Sequence, residues 1–154
     1  MIKTKLKARK IIKELELDHP VDIDVLLKKL DIVLLEGNFE SPSAMLWRDS
    51  EDDIILIDKN QSIGEYRFNC LHEIGHIVLG HEEVIMQVSD KKTYKEKAAD
   101  IFASEVLIPK TKVKKAAHKF NFDIQKLKEY FIVSEKAMVV KMKVLDLPYK
   151  NTRY

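Results

Sequence analysis

Apolar residues recur along this chain with two different spacings, and each spacing predicts one kind of element. Helical spacing in the N-terminal part predicts two helices, which Pro20 separates. These helices cover 4–17 and 23–30. Three short apolar runs follow, with the length and composition of strands. The strands cover 31–36, 44–48 and 54–58. The acidic stretch 49–53 predicts a hairpin turn between the last two strands.

The rest of the chain has helical spacing. From Ile63 the pattern runs to Gly80, a residue type that commonly ends helices. Thr93 can cap a further helix, which should end at about Leu107 because Pro109 follows. Three shorter helices complete the pattern, over 110–119, 123–131 and 134–146.

Length and composition agree with one globular domain. The 154 residues are enough to bury one core, and 45% hydrophobic with 34% charged residues excludes a disordered chain. Strands followed by a set of helices predict the α+β class, with a small three-stranded sheet packed on a helical bundle. We expect this domain to cover 1–147 and a flexible C-terminal tail to cover 148–154.

Charge, cysteine content and hydropathy narrow the function classes. The formal net charge of +2 is too small to indicate nucleic-acid binding, and the lysines of 110–119 are interpreted as a solvated helix face. Cys70 is the single cysteine, so no internal disulfide is expected. No apolar stretch approaches the roughly 18 residues that span a bilayer, and no signal core follows the basic N terminus. We therefore expect a cytoplasmic protein with no membrane or direct nucleic-acid contact.

One predicted helix carries the sequence H-E-x-x-H. Its histidines, His72 and His76, lie one turn apart and can direct both imidazoles at one ion. Glu73 lies about one hundred degrees around the helix from His72, so it can reach a water on that ion without displacing a histidine. Two imidazoles, a carboxylate and a water suit zinc, and the adjacent glutamate can act as general base.

The same motif also occurs by chance on solvated helices. Here it lies within an apolar frame, which indicates a core helix. The frame is Phe68, Leu71, Ile74, Ile77, Val78 and Leu79. Buried histidines need partners, because leaving polar groups unsatisfied costs several kcal/mol. A metal ion would supply those partners.

A third protein ligand has to come from outside the motif. The extended pattern that ends in a third histidine fails, because Leu79 and Glu82 occupy its glycine and histidine positions. His81 follows Gly80 and is expected at the helix end or on the surface. Glu82 and Glu83 lie too near the end of the helix to fold back onto it.

Glu96, on the helix that Thr93 caps, is the candidate third ligand. Asp100 shares its helix face one turn further on and could accept the second ring N–H of a ligand histidine. Small side chains would let this helix approach the motif helix closely; they are Ala98, Ala99 and Ala103. The alternative is a capping box, in which the Glu96 side chain bonds the Thr93 amide. The spacing alone leaves both readings open.

Two blocks of the chain resemble the ImmA/IrrE-type zinc metallopeptidases. One block is 67–76 with Gly80-His81, and the other is Glu96-x-x-Ala99-Asp100-x-Phe102-Ala103 continued to Pro109. The resemblance implies a zincin-like fold of the gluzincin type. It also implies a site in which Zn²⁺ is held by His72, His76 and Glu96, with Glu73 as general base. Asp100 stands where this family often has Asn.

The resemblance also implies a function. Such peptidases commonly cleave a helix-turn-helix repressor of a mobile element, phage or stress response, and so act as anti-repressors. This implies a site-specific zinc endopeptidase with a repressor as protein partner, and the extent of the pattern suggests a stand-alone peptidase. One alternative is a non-cleaving module that binds the repressor through a zinc-stabilised fold. A DNA-binding regulator is another.

The strand expected over 54–58 directly precedes the motif helix. Zincins usually hold substrate as an added strand on a sheet edge. We interpret 54–58 as a candidate for that edge, with an ordinary core strand as the alternative.

Overall fold

A computed structural model describes residues 1–81 and 92–152. Within these ranges the chain forms seven helices and three strands, in the order the sequence predicts. The elements are α1 Ile2–Glu14, α2 Ile23–Lys29, β1 Ile32–Gly37, β2 Ala44–Arg48, β3 Asp53–Asp58, α3 Ile63–Val78, α4 Tyr94–Leu107, α5 Lys110–Lys119, α6 Ile124–Phe131 and α7 Glu135–Val144. The α+β class is confirmed. No helix in the described ranges is long and apolar enough to cross a membrane.

The three strands form a mixed sheet in the order β1-β3-β2. β3 pairs in parallel with β1, and it pairs antiparallel with β2 across the predicted hairpin. β3 is therefore the central strand, and both of its edges are already hydrogen-bonded. The interpretation of 54–58 as the substrate-binding edge is wrong. In the described part of the chain, the outer edges of β1 and β2 are the ones without a paired strand.

One face of this sheet packs on the helices. Ile55 and Ile57 of β3 are fully buried against a core to which α3 contributes Cys70, Leu71 and Ile74. Burial raises the pKa of the Cys70 thiol to about 12, as suits a core residue. α3 thus lies in the centre of the domain, with one side toward the sheet and another toward α4.

Small residues allow α3 and α4 to pack closely. A Cβ built on Gly75 would lie 3.1 Å from Cδ1 of Phe102 and 3.3 Å from both Cα and the carbonyl oxygen of Ala99. Because these distances are shorter than ordinary van der Waals contact, a larger residue at Gly75 has to displace α4. This close approach, which the alanines of α4 predicted, brings Glu96 within reach of α3.

A buried ion network fixes α4 from its other end. Oε1 of Glu105 accepts a hydrogen bond from Arg9 Nε at 3.1 Å, and Oε2 accepts one from Lys141 Nζ at 3.2 Å. Glu105 and Lys141 are both buried. Burial lowers the pKa of Lys141, although the Glu105 carboxylate opposes that effect. α1 and α7 are therefore tied to α4, since a buried charge that lost its partner would cost several kcal/mol.

Residues 148–152 lie against the start of α6. The Ile124 N–H donates to the Lys150 carbonyl, and the Lys150 N–H donates to the Phe122 carbonyl. The Thr152 hydroxyl donates to the Asp123 carboxylate. These bonds tie the described part of the predicted tail to the segment that precedes α6; residues 153–154 lie outside the described residues, and the bounds of domain and tail stay a prediction.

Gly75→Val is expected to destabilise the protein by about 1–3 kcal/mol, because the added side chain has to push α4 away from α3. The free energy of unfolding is measured by urea denaturation. Ile63→Val, an exposed change on the same helix, is the control and should leave that free energy unchanged. Equal stability of Gly75→Val and the native chain would contradict the packing argument.

Candidate metal centre

Three side chains from two helices converge on one point. His72 Nε2 lies 3.0 Å from Glu96 Oε2, His76 Nε2 lies 3.0 Å from Glu96 Oε1, and the two Nε2 atoms lie 3.2 Å apart. The histidines project from neighbouring turns of α3, and the glutamate comes from the first turn of α4. The structure thus brings together the three residues that the sequence analysis singled out, and this cluster could hold a metal ion.

Glu96 takes part in the cap of α4 through its backbone and not through its side chain. Thr93 Oγ1 accepts a hydrogen bond from the Glu96 backbone N–H at 3.2 Å, so Thr93 caps α4. The Glu96 carboxylate instead contacts the two histidines. The backbone of this residue therefore serves the cap while its side chain faces the cluster. Glu82 and Glu83, also considered from the sequence, lie outside the described residues.

Asp100 orients His72. Its Oδ1 lies 2.7 Å from His72 Nδ1, and its Oδ2 accepts a hydrogen bond from Lys92. Burial would lower the pKa of His72, but the hydrogen bond to Asp100 and the nearby carboxylates outweigh it and raise that pKa. Burial would raise the pKa of Asp100, yet the hydrogen bonds from His72 and Lys92 hold it below its usual range. Asp100 therefore stays ionised and holds a proton on Nδ1 of His72.

His81 stands beside His76 in the same way, which the sequence analysis missed. The Nδ1 atoms of the two rings are 2.8 Å apart. Gly80 has a positive φ of 72°, and the His81 N–H donates back to the His76 carbonyl. This is a Schellman turn, which returns the residue after the glycine to the last turn of the helix. The Gly80-His81 pair carries the signal for this position, because a glycine that ends a helix predicts such a turn. The sequence analysis placed His81 only at the helix end or on the surface.

Asp100 and His81 contact the rings of His72 and His76 from outside the cluster. These contacts determine which ring nitrogens can present a lone pair to a metal ion. A carboxylate only accepts, so Nδ1 of His72 carries a hydrogen; metal binding would remove any proton from Nε2, whose lone pair would then face Glu96 and His76. Electron-pair donors 3.0–3.2 Å apart repel one another unless a cation lies between them. A tetrahedral zinc ion about 2.0–2.1 Å from each donor would set neighbouring donors about 3.3 Å apart. The observed separations are close to that value, so the donor set fits zinc.

The pKa values of His76 and Glu73 favour a neutral metal-binding imidazole beside a carboxylate that can accept a proton. Burial, together with the charge of His72, lowers the pKa of His76 to about 4, so its imidazole is neutral near pH 7. Glu73 follows His72 on α3 and is half-buried. Burial raises its pKa to about 7, with Glu96 adding to that effect and His72 opposing it. Glu73 thus has an affinity for protons in the range that a general base requires.

Fold and site together define an α+β domain in which two histidines of an H-E-x-x-H helix meet a glutamate of the following helix. The model of the M78 peptidase family, described as the IrrE N-terminal-like domain, matches residues 27–143. The chain belongs to this peptidase family, as the resemblance of its two sequence blocks implied. The match contains α3 and α4, and hence every residue of the cluster.

A solved structure of a Mycobacterium tuberculosis transcriptional regulator has the same fold. The two superpose with a TM-score of 0.70 at 14% sequence identity, over 93% of this chain and 47% of the regulator. The chain therefore spans about half the length of that protein, and the likeness shows the fold alone. No curated protein matches the chain.

Glu96→Ala is expected to weaken zinc binding by more than the roughly 10–100-fold that outer partners of metal ligands typically contribute, because it removes one of three converging donors. Affinity is measured by competition with a chromophoric chelator. Lys97→Ala, an exposed change on the same turn, is the control. Unchanged affinity in Glu96→Ala would return Glu96 to a purely capping role.

Asp100→Asn and His81→Phe are each expected to lower zinc affinity roughly 10–100-fold while binding persists, because they disturb the orientation and basicity of a ligand ring and not the ligand itself. The same chelator titration measures this. Asp146→Asn, an exposed aspartate far along the chain, serves as the control. Affinities within about two-fold of the native value would show that these contacts do not support the ligands.

Proposed function

We propose that the chain is a zinc-dependent endopeptidase in which His72, His76 and Glu96 hold Zn²⁺ and Glu73 acts as general base. The observation that carries this proposal is the convergence of two Nε2 atoms and a carboxylate at separations of 3.0–3.2 Å. Membership in a peptidase family supports it independently of the geometry. The proposed fold type is accordingly zincin-like.

The chemistry follows from this donor set. A bound zinc ion would polarise the scissile carbonyl and lower the pKa of a coordinated water toward roughly 7. The Glu73 carboxylate takes a proton from the attacking water and later passes it to the nitrogen of the leaving amine. Asp100 and His81 hold the rings of His72 and His76 in a fixed orientation during both proton transfers. Three protein donors leave a fourth position for water, as a catalytic site requires and a closed structural site lacks.

The proposed substrate is a helix-turn-helix repressor, whose cleavage would relieve repression. This rests on the likeness of α3 and α4 to the ImmA/IrrE-type peptidases. With β3 central, the edge that can take a substrate strand beside the metal centre is that of β2. Arg48 at the end of β2 donates to the carbonyl of His81, and the His81 ring contacts His76. A peptide paired along β2 would therefore reach the three ligands.

Glu73→Gln is expected to abolish cleavage and to leave zinc affinity and thermal stability unchanged, because the amide cannot accept the proton of the attacking water. The measurement is co-expression with each helix-turn-helix repressor of the source organism in turn, read by immunoblot. Glu65→Gln, an exposed glutamate of the same helix, is the control and should cleave normally.

Two results would count against this mechanism. Cleavage that survives Glu73→Gln would exclude Glu73 as the base. A native chain that binds the repressor and leaves it intact would favour the non-cleaving regulatory module.

A further inference from the structure

The face of the sheet that points away from the helices is apolar. The strand register places Val33, Ile54 and Trp47 in one row across the sheet, and Leu35, Leu56 and Met45 in the next. We call these six residues the outer sheet face. None of them belongs to the hydrophobic core, which takes the alternate residues of the same strands.

These side chains are open to solvent to a degree that is unusual for their type. Trp47 is 57% exposed, Leu35 48%, Met45 43% and Val33 42%. A sheet with one face on the core normally presents polar residues on the other. Continuous apolar runs, as in β1 and β3, are typical of strands that are covered on both sides. The sequence of the outer sheet face is therefore that of a surface with a partner.

The hairpin end of this face is acidic. The hairpin turn at one end is Asp49-Ser50-Glu51-Asp52-Asp53, in which Asp53 alone is paired, with Arg48. Asp49 accepts the backbone N–H groups of Glu51 and Asp52, so the turn is well defined. At the opposite end, Glu40 after β1 and Lys59 after β3 are both exposed, so that end carries charges of both signs. A partner that complements the acidic turn carries lysine or arginine beside an apolar stripe.

A second copy of the chain fits this face poorly. The outer sheet face has six residues, whereas stable complexes use about 20–30 residues a side. Two sheets packed face to face keep their strands nearly aligned. An arrangement in which the strands of the two copies run in the same direction then sets the acidic turn against its own copy. The size and the charge of this face suit a transient partner that makes further contacts elsewhere.

The metal centre offers those further contacts. β2 supplies Trp47 to the outer sheet face, and the next residue, Arg48, donates to the His81 carbonyl beside His76. A protein seated on the face thus lies next to the edge along which the cleaved segment is proposed to bind.

We propose that the outer sheet face binds the folded part of the substrate repressor, through a basic amphipathic helix of that protein. This rests on the proposed function, because a helix-turn-helix protein needs a basic surface to bind DNA phosphates. The apolar side of the helix covers the six residues, and its lysines and arginines meet the acidic turn. The enzyme then selects its substrate by this docking and not only by the sequence at the cleaved bond.

The test measures binding without cleavage. Leu35→Gln/Trp47→Gln is made in the full chain carrying Glu73→Gln, and its affinity is measured by calorimetry for a purified helix-turn-helix repressor of the source organism that binds the chain carrying Glu73→Gln alone. We expect at least about ten-fold weaker binding, as for exposed aromatic anchors of interfaces. Leu6→Gln/Val144→Gln, at comparably exposed apolar positions on α1 and α7, is the matched control and should bind normally. Glu51→Lys/Asp52→Lys should weaken binding and reduce its dependence on salt.

A second measurement separates docking from catalysis. With Glu73 restored, a Val33→Gln/Leu35→Gln variant, changed on β1 and not on the strand proposed to pair with the peptide, should cleave the intact repressor at least about ten-fold less efficiently, through a raised KM, and hydrolyse a short peptide spanning the cleaved bond normally. Equal cleavage of the intact repressor would overturn the docking proposal and leave the peptidase intact. Binding that depends on the face without any cleavage by the native chain would overturn the proposed function alone. A dimer in sedimentation that Trp47→Gln dissociates would assign the face to self-association and overturn the proposal.

Discussion

The close packing of α3 on α4 is the constraint on which the rest of this structure depends. Two histidines and a glutamate meet only because the absence of a side chain at Gly75 lets the backbone of Ala99 approach the motif helix. A shift of α4 by one side-chain diameter would leave Glu96 at the helix start as a simple capping residue. The local rule for a helix N terminus and the requirement of a metal site are satisfied by one residue, its backbone serving the first and its carboxylate the second.

Holding His72, His76 and Glu96 this close together costs free energy, which contacts with neighbouring side chains have to offset. The two rings are therefore fixed from outside, His72 by an aspartate and His76 by His81. α4 is fixed in turn at its far end by the buried carboxylate of Glu105 between Arg9 and Lys141. The domain thus places ionisable groups at both ends of α4, one set that ties α1 and α7 to it and one that forms the candidate metal centre. Because both sets depend on the position of α4, stability and metal binding should respond together to changes in its packing.

The periodicity of α3 was enough to predict that His72 and His76 share a face, because i and i+4 lie together in any helix. Glu96 could not be assigned from spacing, since ligand and capping box use the same position; the family likeness favoured the ligand. The strand order was not readable, because the parallel pairing of β1 with β3 joins residues twenty or so apart and leaves no local signature. The position of His81 depended on the left-handed backbone of Gly80, whose effect reaches back over the preceding turn.

The wrong assignment of β3 to the sheet edge is itself informative. Its run of isoleucines and leucine, with no polar residue between Ile54 and Ile57, is the pattern of a strand buried on both faces, and β3 is indeed central. Yet only Ile55 and Ile57 are fully buried, while Ile54 and Leu56 remain partly open. The neighbouring strands repeat this mismatch at Val33, Leu35, Met45 and Trp47. Apolar residues on a face that the described part of the fold leaves open indicate a constraint from outside that part of the fold, and the proposed docking of a substrate repressor would supply it.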